Sequence, residues 1–131
     1  MTFVDQEFLN DSTTGLVGDC WRSAIASVLG VPRDAVPHFV RDYGDDWMRA
    51  TLDWLQTNEQ PTLRYTEDYT FPIGRSASPY VMMAGKSPRG HPHAVVADAR
   101  TGEVVHDPHP SREGLSKTWG VFYFADREGG S

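Results

Sequence analysis

Cys20-Trp21-Arg22-Ser23-Ala24-Ile25-Ala26-Ser27-Val28-Leu29 is the stretch on which the fold turns. Its apolar residues Trp21, Ala24, Ile25, Val28 and Leu29 fall at i, i+3, i+4, i+7 and i+8, the period of a helix with one buried face. Asp19 precedes it as a candidate N-cap, Gly30 follows as a stop, and Pro32 lies just beyond. The spacing predicts a helix over Cys20–Leu29 whose first turn carries the only cysteine of the 131 residues. First-turn N–H groups have no partner inside a helix, and the macrodipole favours an anion there. A thiol so placed is a candidate nucleophile. The plainer alternative is an inert cysteine packed as a small apolar group.

Working outward, the chain before Gly18 reads as an extended arm followed by a polar loop, Asn10-Asp11-Ser12-Thr13-Thr14-Gly15. After the helix, Pro32 to Pro37 suits one short helical turn. A second helix is expected from Asp45 to Thr57. Trp47, Met48, Thr51, Leu52 and Leu55 would share its buried face, with Asp45 and Asp46 at its start, where acids belong. The period then changes to that of strands. Leu63–Thr66, Pro79–Ala84, His93–Ala99, Glu103–His106 and Gly120–Ala125 are the candidates, and Arg100-Thr101-Gly102 is a hairpin signal. Helices first and strands after predict an α+β fold, with the helix that carries Cys20 packed on an antiparallel sheet. No repeat or low-complexity linker interrupts the chain, so residues 1–131 are expected to form one domain.

Hydrophobic residues make up 39% and charged residues 23%, the balance of a globular chain, and the length is enough for a real core. No apolar run reaches a transmembrane length. The first residues, Met1-Thr2-Phe3-Val4-Asp5-Gln6-Glu7, lack the basic and apolar regions of a secretory signal. A single cysteine forms no internal disulfide and suits a reducing compartment, so a cytoplasmic location is expected. The net charge is −6 and the longest basic cluster is only Lys86-Ser87-Pro88-Arg89. Nucleic acid is therefore not an expected partner, and neither is a membrane.

The chemistry-bearing residues lie in two groups. His93 opens the apolar run Ala94-Val95-Val96-Ala97 and would sit rigidly on a buried strand, as a general base should. His91 is the second choice, because Pro92 disturbs regular pairing beside it. Asp107 follows one hairpin later, where an antiparallel neighbour would bring a carboxylate to the imidazole, fix its tautomer and stabilise the imidazolium. Each has a plainer reading: a satisfied core histidine for His93, ordinary Asp-Pro turn chemistry for Asp107. Gln6 is the candidate oxyanion donor, acting with the backbone N–H of Cys20, or else a solvated side chain on the arm. A rival set, His91, His93, His106 and His109 with Asp107, has the donor types for zinc or non-haem iron, but no recognised metal spacing. No metal or other cofactor is therefore expected. Gly85-Lys86-Ser87 lacks the glycine spacing of a phosphate loop. Trp47, Trp54 and Trp119 are expected to fill core and groove walls.

Together Asp19-Cys20, His93-Ala94-Val95-Val96 and Asp107-Pro108 resemble the papain-like cysteine peptidase superfamily, and within it the bacteriocin-processing, double-glycine leader peptidases and their stand-alone relatives. The chain also resembles short phage and bacterial proteins that carry Gly-[Asp/Asn]-Cys, Leu-Gly-x-Pro-x-x-x-Val-Pro and His-Asp-Pro-His-Pro-Ser. Here those segments are Gly18-Asp19-Cys20, Leu29 to Pro37 and His106 to Ser111. The resemblance implies a papain-like fold and a catalytic triad of Cys20, His93 and Asp107, with Gln6 at the oxyanion. It also implies cleavage of an amide bond in a peptide-like or small amide substrate through a thioester, in a bacterial or phage-infected cell. Trp21 stands where the leader peptidases have Gly, and Gln6 lies further upstream of Cys20 than their oxyanion Gln. Two other readings stay open: an acyl or amide transferase with the same triad, and a non-catalytic peptide-binding or inhibitor module.

Overall fold

The computed structural model describes residues 3–10 and 17–126. Of the polar run Asn10 to Gly15, all but Asn10 lie outside the described residues. Helix α1 (Cys20–Leu29) has the expected bounds, and Gly30 ends it in a left-handed conformation, φ 72°, that glycine adopts without strain. A 3-10 turn follows at Arg33–Ala35. Helix α2 (Phe39–Tyr43), which the sequence reading did not anticipate, comes next. The helix expected from Asp45 begins as a 3-10 turn, Gly44–Asp46, and becomes α3 only over Trp47–Thr57. Thr51 and Leu55 are buried as expected, but Leu52 is 43% exposed. Trp54 and Ala50 take its place against the core.

Five strands complete the fold: β1 (Thr62–Thr66), β2 (Tyr80–Lys86), β3 (Pro92–Asp98), β4 (Val104–His106) and β5 (Lys117–Ala125). They form one sheet in the order β1-β5-β2-β3-β4, and every neighbouring pair is antiparallel. The architecture is α+β, as the change of period predicts.

Both faces of the sheet are covered. On one side α1 packs against Met82, Ala94, Val96 and Phe124. Its own contacting residues include Ala24 and Ala26, small enough for helix and sheet to approach closely. On the other side Val81, Ala97, Val121 and Tyr123 lie under Tyr69, Phe71 and Ile73 from the β1–β2 connection. This is the alternation a two-sided strand must show. No helix among the described residues is long and apolar enough to cross a membrane.

Two glycines admit close approaches that position the site. Gly85 pairs with His93 across β2–β3 and sits at a register shift between β2 and β5. A Cβ on Gly85 would lie 1.8 Å from the Lys117 carbonyl oxygen. Gly120 leaves room for the Tyr65 ring, whose atoms would come within 2.5 Å of a Cβ there.

Candidate active site

Asp19 occupies the N-cap position of α1 but makes no side-chain cap bond, contrary to the sequence expectation. Its carboxylate faces backwards instead. Oδ1 accepts the Phe8 N–H at 2.8 Å, and Oδ2 lies 3.4 Å from Nη1 of Arg22. The Asp19 N–H in turn donates to the Phe8 carbonyl. Asp19 is 1% exposed, so its charge needs these partners. The result is that the arm over residues 3–10 is clamped against the start of α1, directly beside Cys20. Val4 adds a second tie by donating its N–H to Ser27 Oγ.

Cys20 is half-buried at the first residue of α1 and lines a cavity of about 520 Å³. His93 lines the same cavity from β3. The His93 ring nitrogen Nε2 donates to Asp107 Oδ1 at 2.6 Å, with both side chains almost fully buried. That bond leaves Nδ1 for the thiol, with which the ring also interacts. Burial opposes a charge on His93, but the hydrogen bonds and charges of Asp107 and Cys20 outweigh it and hold the imidazole up at about 9. Burial likewise pushes Asp107 up. Its bond to His93 and the backbone N–H groups of His109 and Gly114 pull it down to about 2.

Asp107 shows why its two sequence readings are compatible. It is a turn starter, because Oδ1 accepts the His109 N–H two residues on, and Oδ2 accepts from Gly114 at 2.7 Å. It is also the imidazole's partner. The turn fixes the carboxylate, and the carboxylate fixes the ring. Arg112 grips this loop by donating to the Asp107 carbonyl, while its guanidinium holds Asp5 of the arm through two bonds. The Gln6 N–H donates to Pro108 O, so arm and loop are joined twice.

Gln6 reaches the same neighbourhood. Its Nε2 donates one N–H to Phe8 O at 2.6 Å and lies against Gly18. Its Oε1 is buried without a partner among the described residues. The candidate metal donors do not converge. His106 stacks on Phe3 and bonds Val4 O, His91 is exposed, and His93 is engaged by Asp107. Among the described residues no group of three or more His, Cys, Asp or Glu is arranged to hold a metal ion.

The sequence reading missed much of the cavity wall. Trp47 and Trp119 line it as expected for groove residues, but Tyr65 and Phe122 join them. Tyr65 and Phe122 are register partners on β1 and β5, and their rings meet tilted by 43° with centroids 4.5 Å apart. Strand pairing brings them together, and no local signal announces it. Trp54 lies in the core. Compared with known proteins, the chain matches no family model, no curated protein and no solved structure.

Proposed function

We propose that this protein is a cysteine hydrolase of papain-like type that cleaves an amide bond in a peptide-like substrate. The observation that carries the reading is the position of His93, bonded to buried Asp107 on one side and facing Cys20 at a cavity on the other. An imidazole held protonated by a buried carboxylate beside a cysteine sulfur suits acyl transfer and offers nothing for phosphoryl or hydride chemistry. The Cys20 sulfur attacks the amide carbonyl carbon and forms a C–S bond. In this reading the backbone N–H of Cys20 and the second N–H of Gln6 receive the oxyanion. As the C–N bond breaks, the His93 proton passes to the leaving nitrogen. Water then attacks the thioester, giving its proton to His93 and its oxygen to the acyl carbon, and the sulfur leaves as thiolate. Asp107 keeps the ring oriented and its charge stabilised throughout.

The test is incubation of the protein with peptide libraries and amine acceptors, scored by mass spectrometry against the Cys20→Ala variant. Cys20-dependent hydrolysis is expected, with the melting temperature nearly unchanged by the substitution. A Cys20-dependent mass gain from the added amine, without hydrolysis, would replace hydrolase by transferase. A second measurement is alkylation by iodoacetamide, expected to be faster in the wild type than in His93→Ala. Equal alkylation rates, together with no Cys20-dependent product, would leave a binding module.

A further inference from the structure

Two cavities meet at His93, and they differ in chemistry. The larger, about 520 Å³, is walled by aromatic rings, and among the described residues no Asp, Glu, Lys or Arg lines it. Its size is that of a small-molecule site. The smaller, about 130 Å³, holds Arg89, His109 and Gln6. The two share Asn10, His91, Pro92 and His93, so they adjoin, but Cys20 lines only the larger.

The smaller cavity is rich in hydrogen-bond donors. Only Nη1 of Arg89 is engaged by the described residues, with Ser111 Oγ at 2.8 Å and Glu113 Oε1 at 3.2 Å. No described residue bonds the remaining guanidinium donors of Arg89, which lines this cavity. His109 Nδ1 accepts the Ser111 N–H at 3.0 Å, which places the proton of the neutral ring on Nε2. Burial and then the charge of Arg89 keep that ring neutral. The buried, unpartnered Gln6 Oε1 adds one acceptor. A planar carboxylate is the group a guanidinium and a neighbouring ring N–H recognise best.

The reaction gives the two cavities a direction. The acyl group ends on the Cys20 sulfur, so it occupies the cavity that Cys20 lines. The leaving nitrogen takes its proton from His93, which lines both cavities, and with the acyl group in the larger one the smaller is left for the leaving group. We infer that the substrate is an apolar acyl group in amide linkage to a single amino acid with a free α-carboxylate. The acyl part lies among Trp21, Trp47, Tyr65, Trp119 and Phe122, and the carboxylate meets Arg89 and His109. The acyl group is either a fatty chain or the apolar end of a peptide, and products are the acid and the free amino acid. This assignment rests on the thiol hydrolase reading above.

The test compares N-decanoylglycine and acetyl-Leu-Phe-Gly with their C-terminal amides, N-decanoylglycinamide and acetyl-Leu-Phe-glycinamide, and with N-acetylglycine. The 4-nitrophenyl ester of decanoic acid serves as an activated control. Release of free glycine from at least one of the two apolar acids is expected with kcat/KM tenfold or more above its amide and above N-acetylglycine. Which acid is preferred separates a fatty from a peptidyl acyl group. In Arg89→Gln the acid-to-amide ratio is expected to fall to near one, through KM. Equal rates for acid and amide in the wild type, with Cys20-dependent ester cleavage intact, would overturn this inference and leave the hydrolase reading standing. No Cys20-dependent cleavage of any probe, the ester included, would overturn both.

Discussion

The proton on His93 decides the pH behaviour of the site. Asp107 and Cys20 hold the imidazole's pKa up at about 9, so activity is expected to fall as pH rises through that value. In Asp107→Asn the hydrogen-bonded charge is gone, and the alkaline limb of the kcat/KM profile should move to lower pH. The rate itself should drop about 10²- to 10⁴-fold, because the ring loses both its fixed tautomer and its counter-charge. An unshifted limb would remove Asp107 from the mechanism. Folding stability carries the same signature. His93 binds its proton more tightly in the folded chain, so its contribution is complete below roughly pH 6.5 and lost as pH rises through about 9. Asp107 is shifted the other way, so its contribution is complete above its ordinary value of 3.8 and lost as pH falls towards about 2. Denaturant titrations of wild type and Asp107→Asn should differ most between about pH 4 and 6.5, where both contributions are complete, and the gap should narrow as pH rises through about 9 or falls towards about 2.

At the scale of elements, the close packing of β2 against β5 sets where His93 stands. Gly85 is its register partner, and the Lys117 carbonyl fills the space a side chain would need. Gly85→Ala must push the two strands apart, at a cost of about 1–3 kcal/mol. Chemical denaturation should show that loss, with activity falling further than stability alone explains. An alanine variant of wild-type stability would mean that the register shift absorbs the methyl group. None of this was legible in the sequence, where Gly85 reads only as the first residue of a failed phosphate motif. What was legible follows from local rules. The period of Trp21, Ala24, Ile25 and Val28 sets α1, and the apolar run after His93 sets β3. The pairing of His93 with Asp107 followed from one hairpin, since a short turn brings neighbouring strands into register. The direction of the Asp19 carboxylate was not legible, because its partner Phe8 arrives from a separate segment whose path no local signal encodes. Leu52 misled for a related reason. Its helical phase is only marginally inward, and Trp54, which meets Phe39 of α2, takes the core position.

For the molecule as a whole, strand order matters more than strand content. β5 comes last among the five strands in the chain, yet it lies between β1 and β2. A chain ending at Ser116 would keep all the helices and four strands but leave two long sheet edges unpaired. Such edges invite association with other chains. Circular dichroism of this fragment is expected to show no cooperative thermal transition, and light scattering should show aggregates. A sharp transition would mean that β1 is dispensable and that the β2-β3-β4 hairpins with α1 form an independent core.

The central place of β5 also reaches back into biosynthesis. Trp119 and Phe122, which close one wall around the thiol, both belong to it. While the ribosome is still translating, Cys20 and His93 can emerge without that wall and without the strand that locks β2 in place. The wall of the proposed site is therefore completed only when β5 clears the exit tunnel.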